Sequence, residues 1–317
     1  MQVKTINQEI HEKHALYNGD CVEIARGIPD NSIHYSIFSP PFSSLYTYSN
    51  SDRDMGNSNG DNEFFEHFKF LIKELYRITI PGRLVSFHCM DLPAMKSRDG
   101  FIGIKDFPAK LRQAFEDEGF IWHSKVVIWK DPLVEATRTK ALGLLHKQLQ
   151  KDSAMCRQGL PDYLITMRKP GENPEPITHD EGLKTFYGEH DSQLEDKNKV
   201  YSHQVWRKYA SPVWMDIRQS NTLQFRSARE EKDERHICPL QLDVIARGIE
   251  LWSNPNDVVF SPFMGIGSEG YQALKMNRRF VGVELKESYF NIAVKNMQMA
   301  IDEIEKEDSF EQLSISI

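Results

Sequence analysis

Cysteine is scarce in this 317-residue chain: Cys21, Cys89, Cys156 and Cys238 are scattered, with no CxxC pair and no spacing suited to zinc. The scarcity argues against a disulfide-stapled fold and against a structural metal, so free thiols in a reducing, cytoplasmic compartment are expected and the expected metal content is none. Long hydrophobic runs are also missing. The opening MQVKTINQEIHEKHALYNGD reads as too polar for a secretory leader, and no apolar stretch approaches the ~20 residues that span a bilayer. No membrane partner is expected.

Positive charge is not in excess either. The formal net charge is −7, which bears on solubility and does not mark a nucleic-acid binder. Its distribution is more telling. Between residues 131 and 170, seven basic residues (Arg138, Lys140, Lys147, Lys151, Arg157, Arg168 and Lys169) face four acids (Asp131, Glu135, Asp152 and Asp162). Taken alone, that excess describes a solvated surface. No GxxxxGK[ST] motif occurs, so nothing cradles a nucleoside triphosphate.

What the chain does contain is an alternation of apolar runs and helical patterns. SIHYSIF (32–38) reads as a strand, NEFFEHFKFLIKELYRI (62–78) puts Phe64, Phe68, Leu71 and Leu75 on one helical face, and RLVSFHC (83–89) reads as another strand. A helix around 106–118, opening at Asp106 near Pro108, precedes a long strand over 121–130. This is the rhythm of an α/β sheet. From about 131 to 230 it lapses into a basic piece, a turn-rich stretch RKPGENPEPITHDEG, a charged run GEHDSQLEDKNK and an aromatic cluster VWRKYASPVWMDI. Such a region suggests an inserted module, with Trp206, Tyr209 and Trp214 as its packing. Order returns in HICPLQLDVIARGIELW, whose helix starts near Pro239, and continues as strand, turn and helix twice over. The expected organisation is one α/β domain in two halves, 1–130 and 231–305, around an insertion at 131–230, with a polar, fraying tail at 306–317.

Two motifs carry chemistry. In SPFMGIG a strand ends in a turn that enters a helix, where Gly265 and Gly267 let backbone approach a ligand. Some twenty residues on, Glu284 closes the next strand, placed to accept hydrogen bonds from ribose hydroxyls. The plainer reading is a tight turn with a surface glutamate. Earlier, Ser39-Pro40-Pro41-Phe42 ends a strand with two residues that lack a backbone donor, which makes a stiff loop. Its hydroxyl, free Pro40 carbonyl and aromatic ring suit a flat, amine-bearing ring: Phe42 stacks while Ser39 and the carbonyl accept the amino hydrogens. On four residues alone, a polyproline turn is the simpler explanation.

Together, SPPF and SPFMGIGS resemble the catalytic and cofactor loops of the amino-methyltransferases that modify N4 of cytosine or N6 of adenine in DNA. The likeness extends through LYNGDCVEIARGIPDNSIHYSIFSPPF and from HICPLQLDVIARGIELW to ELKESYFNIA. The SPPF loop comes first, which resembles the permuted β-type order with a target-recognition region between the motifs. The resemblance implies a Rossmann-like α/β methyltransferase sheet with helices on both faces, S-adenosyl-L-methionine as cofactor and double-stranded DNA as partner. A homodimer and a cognate restriction enzyme stay open.

It further implies catalytic roles for Ser39, Pro40, Pro41 and Phe42. Asp20 would hold the cofactor adenine, Glu284 its ribose, and Gly265, Gly267 and Ser268 its methionine end, with Cys21, Pro262 and Phe263 among the other cofactor-binding residues. His236 and Pro239 would lie in the element that closes over it. Arg138, Lys140, Lys147 and Arg157 would contact DNA. One position departs from the family: Ser261 stands where DPF has its acid, so that acid's role is not carried over. Methylation at C5 of cytosine is excluded, because it needs a nucleophilic cysteine after a proline and no cysteine here follows one. The serine form of the loop points to N4 of cytosine, with N6 of adenine as the alternative by the same mechanism. A non-catalytic DNA-binding relative and an RNA amino-methyltransferase also stay open.

Overall fold

Short strands, most of them buried at their centres, assemble into a nine-stranded sheet in the computed structural model, which describes residues 5–42, 61–94, 96–139, 141–192, 194, 199–224 and 239–315. The strands are β1 (Asn7–Ile10), β2 (His14–Asn18), β3 (Ile33–Phe38), β4 (Thr79–Met90), β5 (Leu92–Ala94), β6 (Gly103–Lys105), β7 (Ile121–Ile128), β8 (Asp162–Arg168), β9 (Val213–Trp214), β10 (Val258–Ser261) and β11 (Arg279–Glu284). The main sheet runs in the order β1-β2-β11-β10-β3-β4-β8-β7-β9, and β5 pairs with β6 apart from it. Its centre, β2-β11-β10-β3-β4, is parallel throughout, whereas β1 and β8 are antiparallel to their neighbours.

Helices cover both faces, as expected of this fold class. On one side lie α1 (Cys21–Ala25), α2 (Asp61–Ile78) and, beyond the short α3 (Lys96–Asp99), α4 (Phe107–Asp117). The four apolar positions anticipated on α2, Phe64, Phe68, Leu71 and Leu75, are wholly buried there, and Phe68 and Phe115 meet edge to face. Asp106 caps α4 by accepting from the Ala109 N–H at 2.9 Å, as a helix start needs. The opposite face carries α8 (Leu242–Trp252), α9 (Ser268–Lys275) and α10 (Glu287–Ile315).

This division fixes where a ligand can enter. From β10 the chain crosses through α9 to β11 on one side, while from β3 it crosses through α2 to β4 on the other. The connections diverge above the carboxyl ends of β10 and β3, and the crevice left between them is the ligand position of open α/β sheets.

Two expectations need correction. Residues 162–168, expected to belong to the insertion, form β8 inside the sheet between β4 and β7, with seven residue pairs to β4. Buried on both faces from Leu164 to Met167, β8 lacks the alternation of a half-buried strand. Second, residues 306–315 do not fray but continue α10, where Glu303 and Glu307 pair with Lys275 of α9.

The insertion is thereby divided between two edges of the sheet. Residues 129–161, with α5 (Pro132–Thr139) and α6 (His146–Lys151), leave β7 and return to β8 at the carboxyl edge. Residues 169–180 leave β8 at the amino edge, where Thr178 N–H donates to Asn254 Oδ1 at 3.3 Å. Of the three aromatics expected to pack the insertion, two do so and Trp206 does not. Tyr209, at the end of α7 (Lys199–Tyr209), and Trp214 are buried, and their rings stand 4.8 and 5.0 Å from the enclosed Arg247 guanidinium; Trp206 is exposed.

Candidate active site

The turn after β10 is built by its glycines. Gly265 and Gly267 both hold left-handed backbone, at φ 53° and 87°, which side-chain-bearing residues rarely adopt. A Cβ on Gly267 would meet Met297 Cε at 2.9 Å and Ala293 Cα at 3.3 Å, so that glycine lets α9 close against α10. A Cβ on Gly265 would meet nothing within 4 Å, so that glycine borders open space. Glu284 ties the turn down. Its Oε2 accepts from Gly265 N–H at 2.9 Å and its Oε1 from Lys286 N–H at 2.8 Å.

Hydroxyls converge on the same turn without partners. The Ser261 and Ser268 side chains are buried, and among the described residues neither Oγ has a hydrogen-bond partner. Buried polar atoms are normally satisfied, by protein groups or by ordered water, so both hydroxyls keep hydrogen-bonding capacity in hand. Ser261, where the family's acid would stand, thus offers a neutral group. A carboxyl group nevertheless follows the loop closely. Glu269, in the first turn of α9, is buried; burial pushes its carboxyl up to about 8, with relief from its own N–H and a further push from Glu284. Pro262 is buried, and the Phe263 ring packs on Phe38 and Phe68.

Beside β11, β2 ends in Asn18, and Asp20 follows as the cap of α1. Its Oδ1 accepts from Val22 and Glu23 N–H at 2.9 and 3.0 Å, so one carboxylate oxygen makes the cap. Cys21 is buried in the core and its thiol is pushed well up by burial, so its side chain serves packing. Pro239 is half-buried ahead of α8, and His236 lies outside the described residues.

β3 delivers Ser39 to the carboxyl edge next to this turn. Pro40 is buried, Pro41 and Phe42 are half-buried, and the Phe42 ring lies 6.3 Å from that of Phe107. Behind the loop stands a polar chain that the sequence reading missed. Ser39 Oγ lies 3.2 Å from His88 Nδ1; His88 Nε2 faces Asp162 Oδ2 at 3.3 Å, off the hydrogen-bond line; Lys130 Nζ donates to Asp162 Oδ1 at 2.6 Å. Burial would raise the Asp162 carboxyl, but His88 and then Lys130 outweigh it and bring it to about 2. A histidine within the apolar run RLVSFHC was the available signal for this chain. Asp162 sat in a segment read as insertion.

Of the four proposed DNA contacts, the side chains of two are described. Lys147 is exposed on α6, while Arg157 is half-buried, 4.0 Å from Glu135 and donating to the Gln158 carbonyl at 2.9 Å. Arg138 belongs to α5, but its side chain, like all of Lys140, lies outside the described residues. At the amino edge, His34, Glu175 and Asp257 cluster within 4.8 Å. His34 Nδ1 accepts from Val258 N–H at 3.2 Å, so Nε2 carries the proton and cannot ligate a metal, and Asp257 already pairs with buried Arg83 at 3.0 Å. This cluster is structural.

The chain as a whole is similar to known proteins. A family model described as DNA methylase, of the N6/N4 methyltransferases, matches residues 33–295. The type II methyltransferase M.BglII of Bacillus subtilis is 24% identical over 91% of this chain and 70% of its own length. The orphan methyltransferase M.BamHII of Bacillus amyloliquefaciens is 23% identical, covering 86% and 91%. Among solved structures, PvuII DNA methyltransferase, described as cytosine-N4-specific, aligns with a TM-score of 0.60 at 14% identity over 94% of both chains. A protein of Thermus thermophilus, described as a putative DNA modification methylase and solved with S-adenosyl-L-methionine, aligns at 0.62 and 18% identity over 92% and 96%. With most of its length matched and both family loops at the carboxyl edge of one parallel sheet, the chain belongs to the N6/N4 DNA methylase family.

Proposed function

We propose that this protein transfers a methyl group from S-adenosyl-L-methionine to the exocyclic amine of a base in duplex DNA, with N4 of cytosine as the target. The observation that supports this most is the meeting of the two loops. β3 and β10 are adjacent parallel strands, and Phe38 and Phe263, which flank the two loops, pack edge to face at 5.9 Å. The acceptors of SPPF therefore open onto the same crevice as the glycine turn. Bound there, the cofactor supplies an electrophilic methyl on a sulfonium. The unpartnered Ser261 and Ser268 hydroxyls and the open space over Gly265 fit its methionine end, Glu284 its ribose and Asp20 its adenine.

An exocyclic amine is a weak nucleophile because its lone pair is delocalised into the ring. Ser39 Oγ and the Pro40 carbonyl accept its hydrogens, favour a pyramidal nitrogen and aim the lone pair at the methyl; the remaining contribution is positioning. A base in a duplex must leave the stack to reach this loop, at a cost of a few kcal/mol, and Phe42 offers a face on which it stacks. Recognition falls to the 129–161 part of the insertion, which shares the edge with Ser39.

The test is incubation with PCR-amplified bacterial genomic DNA, which carries no modified bases, and isotopically labelled cofactor, followed by nucleoside mass spectrometry. Labelled N4-methylcytosine is expected. N6-methyladenine would keep the mechanism and overturn the base assignment. Cofactor binding without any methylated base would overturn the reading as a DNA-modifying enzyme.

A further inference from the structure

A serine hydroxyl is an ambiguous catalytic acceptor. It is both donor and acceptor, and it accepts well from a substrate amine only if its own proton is committed elsewhere. In the Asp or Asn form of such a loop a carbonyl or carboxylate oxygen solves this by having no proton. The serine form must solve it with a neighbour.

We propose that His88, oriented by Asp162, is the positioning residue that fixes the Ser39 proton and receives it after methyl transfer. This rests on the methyltransferase reading. The geometry assigns each hydrogen in turn. Lys130 donates to Asp162 at 2.6 Å and stabilises the carboxylate form. A carboxylate has no proton to give, so the ring nitrogen facing it at 3.3 Å, Nε2, carries the imidazole hydrogen. Nδ1 is then the bare nitrogen. It lies 3.2 Å from Ser39 Oγ, accepts the hydroxyl proton and turns the serine lone pairs towards the crevice.

The same chain takes up the proton that the reaction leaves behind. The amine nitrogen forms its bond to the methyl carbon with its own lone pair, and the carbon–sulfur pair stays on sulfur. The nitrogen then holds one proton too many. That proton passes to Ser39 Oγ as the serine proton moves to His88 Nδ1, leaving a neutral methylated amine, a restored serine and an imidazolium beside the Asp162 carboxylate. Solvent removes the proton later.

The other charged groups around His88 leave this role to Asp162. On the β7 side Lys125 stands over the Tyr163 ring at 3.8 Å, and Asp91, past the end of β4, accepts from Tyr163 Oη at 3.0 Å. On β4 itself Cys89 is buried, and burial, with lesser help from Asp162, pushes its thiol well up. None of these has a hydrogen bond to His88.

Two measurements test the proposal. In the first, long-range 15N–1H spectra of the histidine-labelled protein, without DNA, report which ring nitrogen of His88 is bare, His88→Asn providing the assignment. A bare Nδ1 in the wild type is expected, moving towards Nε2 in Asp162→Asn, whose amide can donate to Nε2. A protonated Nδ1 in the neutral wild-type ring overturns the proposal whether or not the protein methylates DNA. In the second, single-turnover methylation of PCR-amplified genomic DNA is compared across variants. His88→Leu should lose about 100-fold or more in rate, the usual scale of a lost acid–base group, with cofactor affinity within twofold of wild type. His88→Asn places Oδ1 where Nδ1 was, keeps the serine proton fixed but cannot take it up, and should fall between the two. It should also lose the acid limb of the wild-type pH–rate profile. A His88→Leu rate within threefold of wild type, or a His88→Asn profile with the same acid limb, overturns the role. A wild type that binds cofactor yet modifies no DNA overturns the methyltransferase reading instead.

Discussion

Glu284 and Gly265, nineteen residues apart, are joined by a 2.9 Å hydrogen bond from the glycine N–H to carboxylate Oε2, while the other oxygen accepts from Lys286 N–H. The residue expected to meet the cofactor ribose is thus also the clamp that holds the cofactor turn to the end of β11. Both oxygens face donors, which an amide cannot reproduce. In Glu284→Gln the NH2 group must confront one of the two backbone N–H groups, at a cost of about 1–3 kcal/mol for the donor left unpaired. The expected outcome, read by calorimetric titration and thermal unfolding, is a cofactor affinity at least tenfold weaker with a modest loss of stability.

The two turn glycines should fail differently. Alanine at either position pays for a left-handed backbone, about 1–2 kcal/mol. Gly267→Ala adds a collision with Met297 and Ala293 on α10, so its chief effect should be a lowered Tm. Gly265→Ala projects its methyl into open space, so its fold should survive while the cofactor site is narrowed. Denaturant unfolding and cofactor titration separate the two. Equal effects of both variants on both measurements would contradict this account.

Glu269 predicts an unusual pH dependence. Its carboxyl is pushed up to about 8 in the folded protein against an ordinary 4.5. Between those values the unfolded chain has released the proton and the folded chain has kept it, so stability falls as pH rises from about 4.5 to about 8. Glu269→Gln has no such proton. The Tm difference between variant and wild type, measured without cofactor, should therefore grow in the variant's favour from pH 5 to pH 8. Parallel curves would place the Glu269 carboxyl in the ordinary range.

Much of this architecture was legible in the sequence where local pattern and tertiary environment agree. α2 shows its buried face as Phe64, Phe68, Leu71 and Leu75, and the glycine turn shows itself between a strand and a helix. β8 was hidden because a strand buried on both faces has no alternation to read, and because it follows an irregular loop. The site was legible to the extent that it is contiguous. Ser39-Pro40-Pro41-Phe42 is a local motif, but the Ser39, His88, Asp162 and Lys130 chain spans four separate segments, and only the pairing of β4 with β8 brings its middle members together. A polar residue inside an apolar strand was the one local trace of it.

The topology also predicts which part of the insertion meets DNA. Residues 129–161 share the carboxyl edge with Ser39, whereas Lys13, just before β2, is exposed at the amino edge, where its carbonyl accepts from Phe280 N–H. Charge reversal at these two lysines changes net charge identically, so general electrostatics moves both variants alike. A direct phosphate contact moves only one. Lys147→Glu should weaken binding to duplex DNA across sequences and reduce the slope of log affinity against log salt by about 1. Lys13→Glu should leave that slope unchanged. Fluorescence anisotropy with a labelled duplex over a range of salt concentrations reads both. A loss confined to Lys13→Glu would put DNA on the opposite edge from Ser39, and the catalytic loop could not then reach its base.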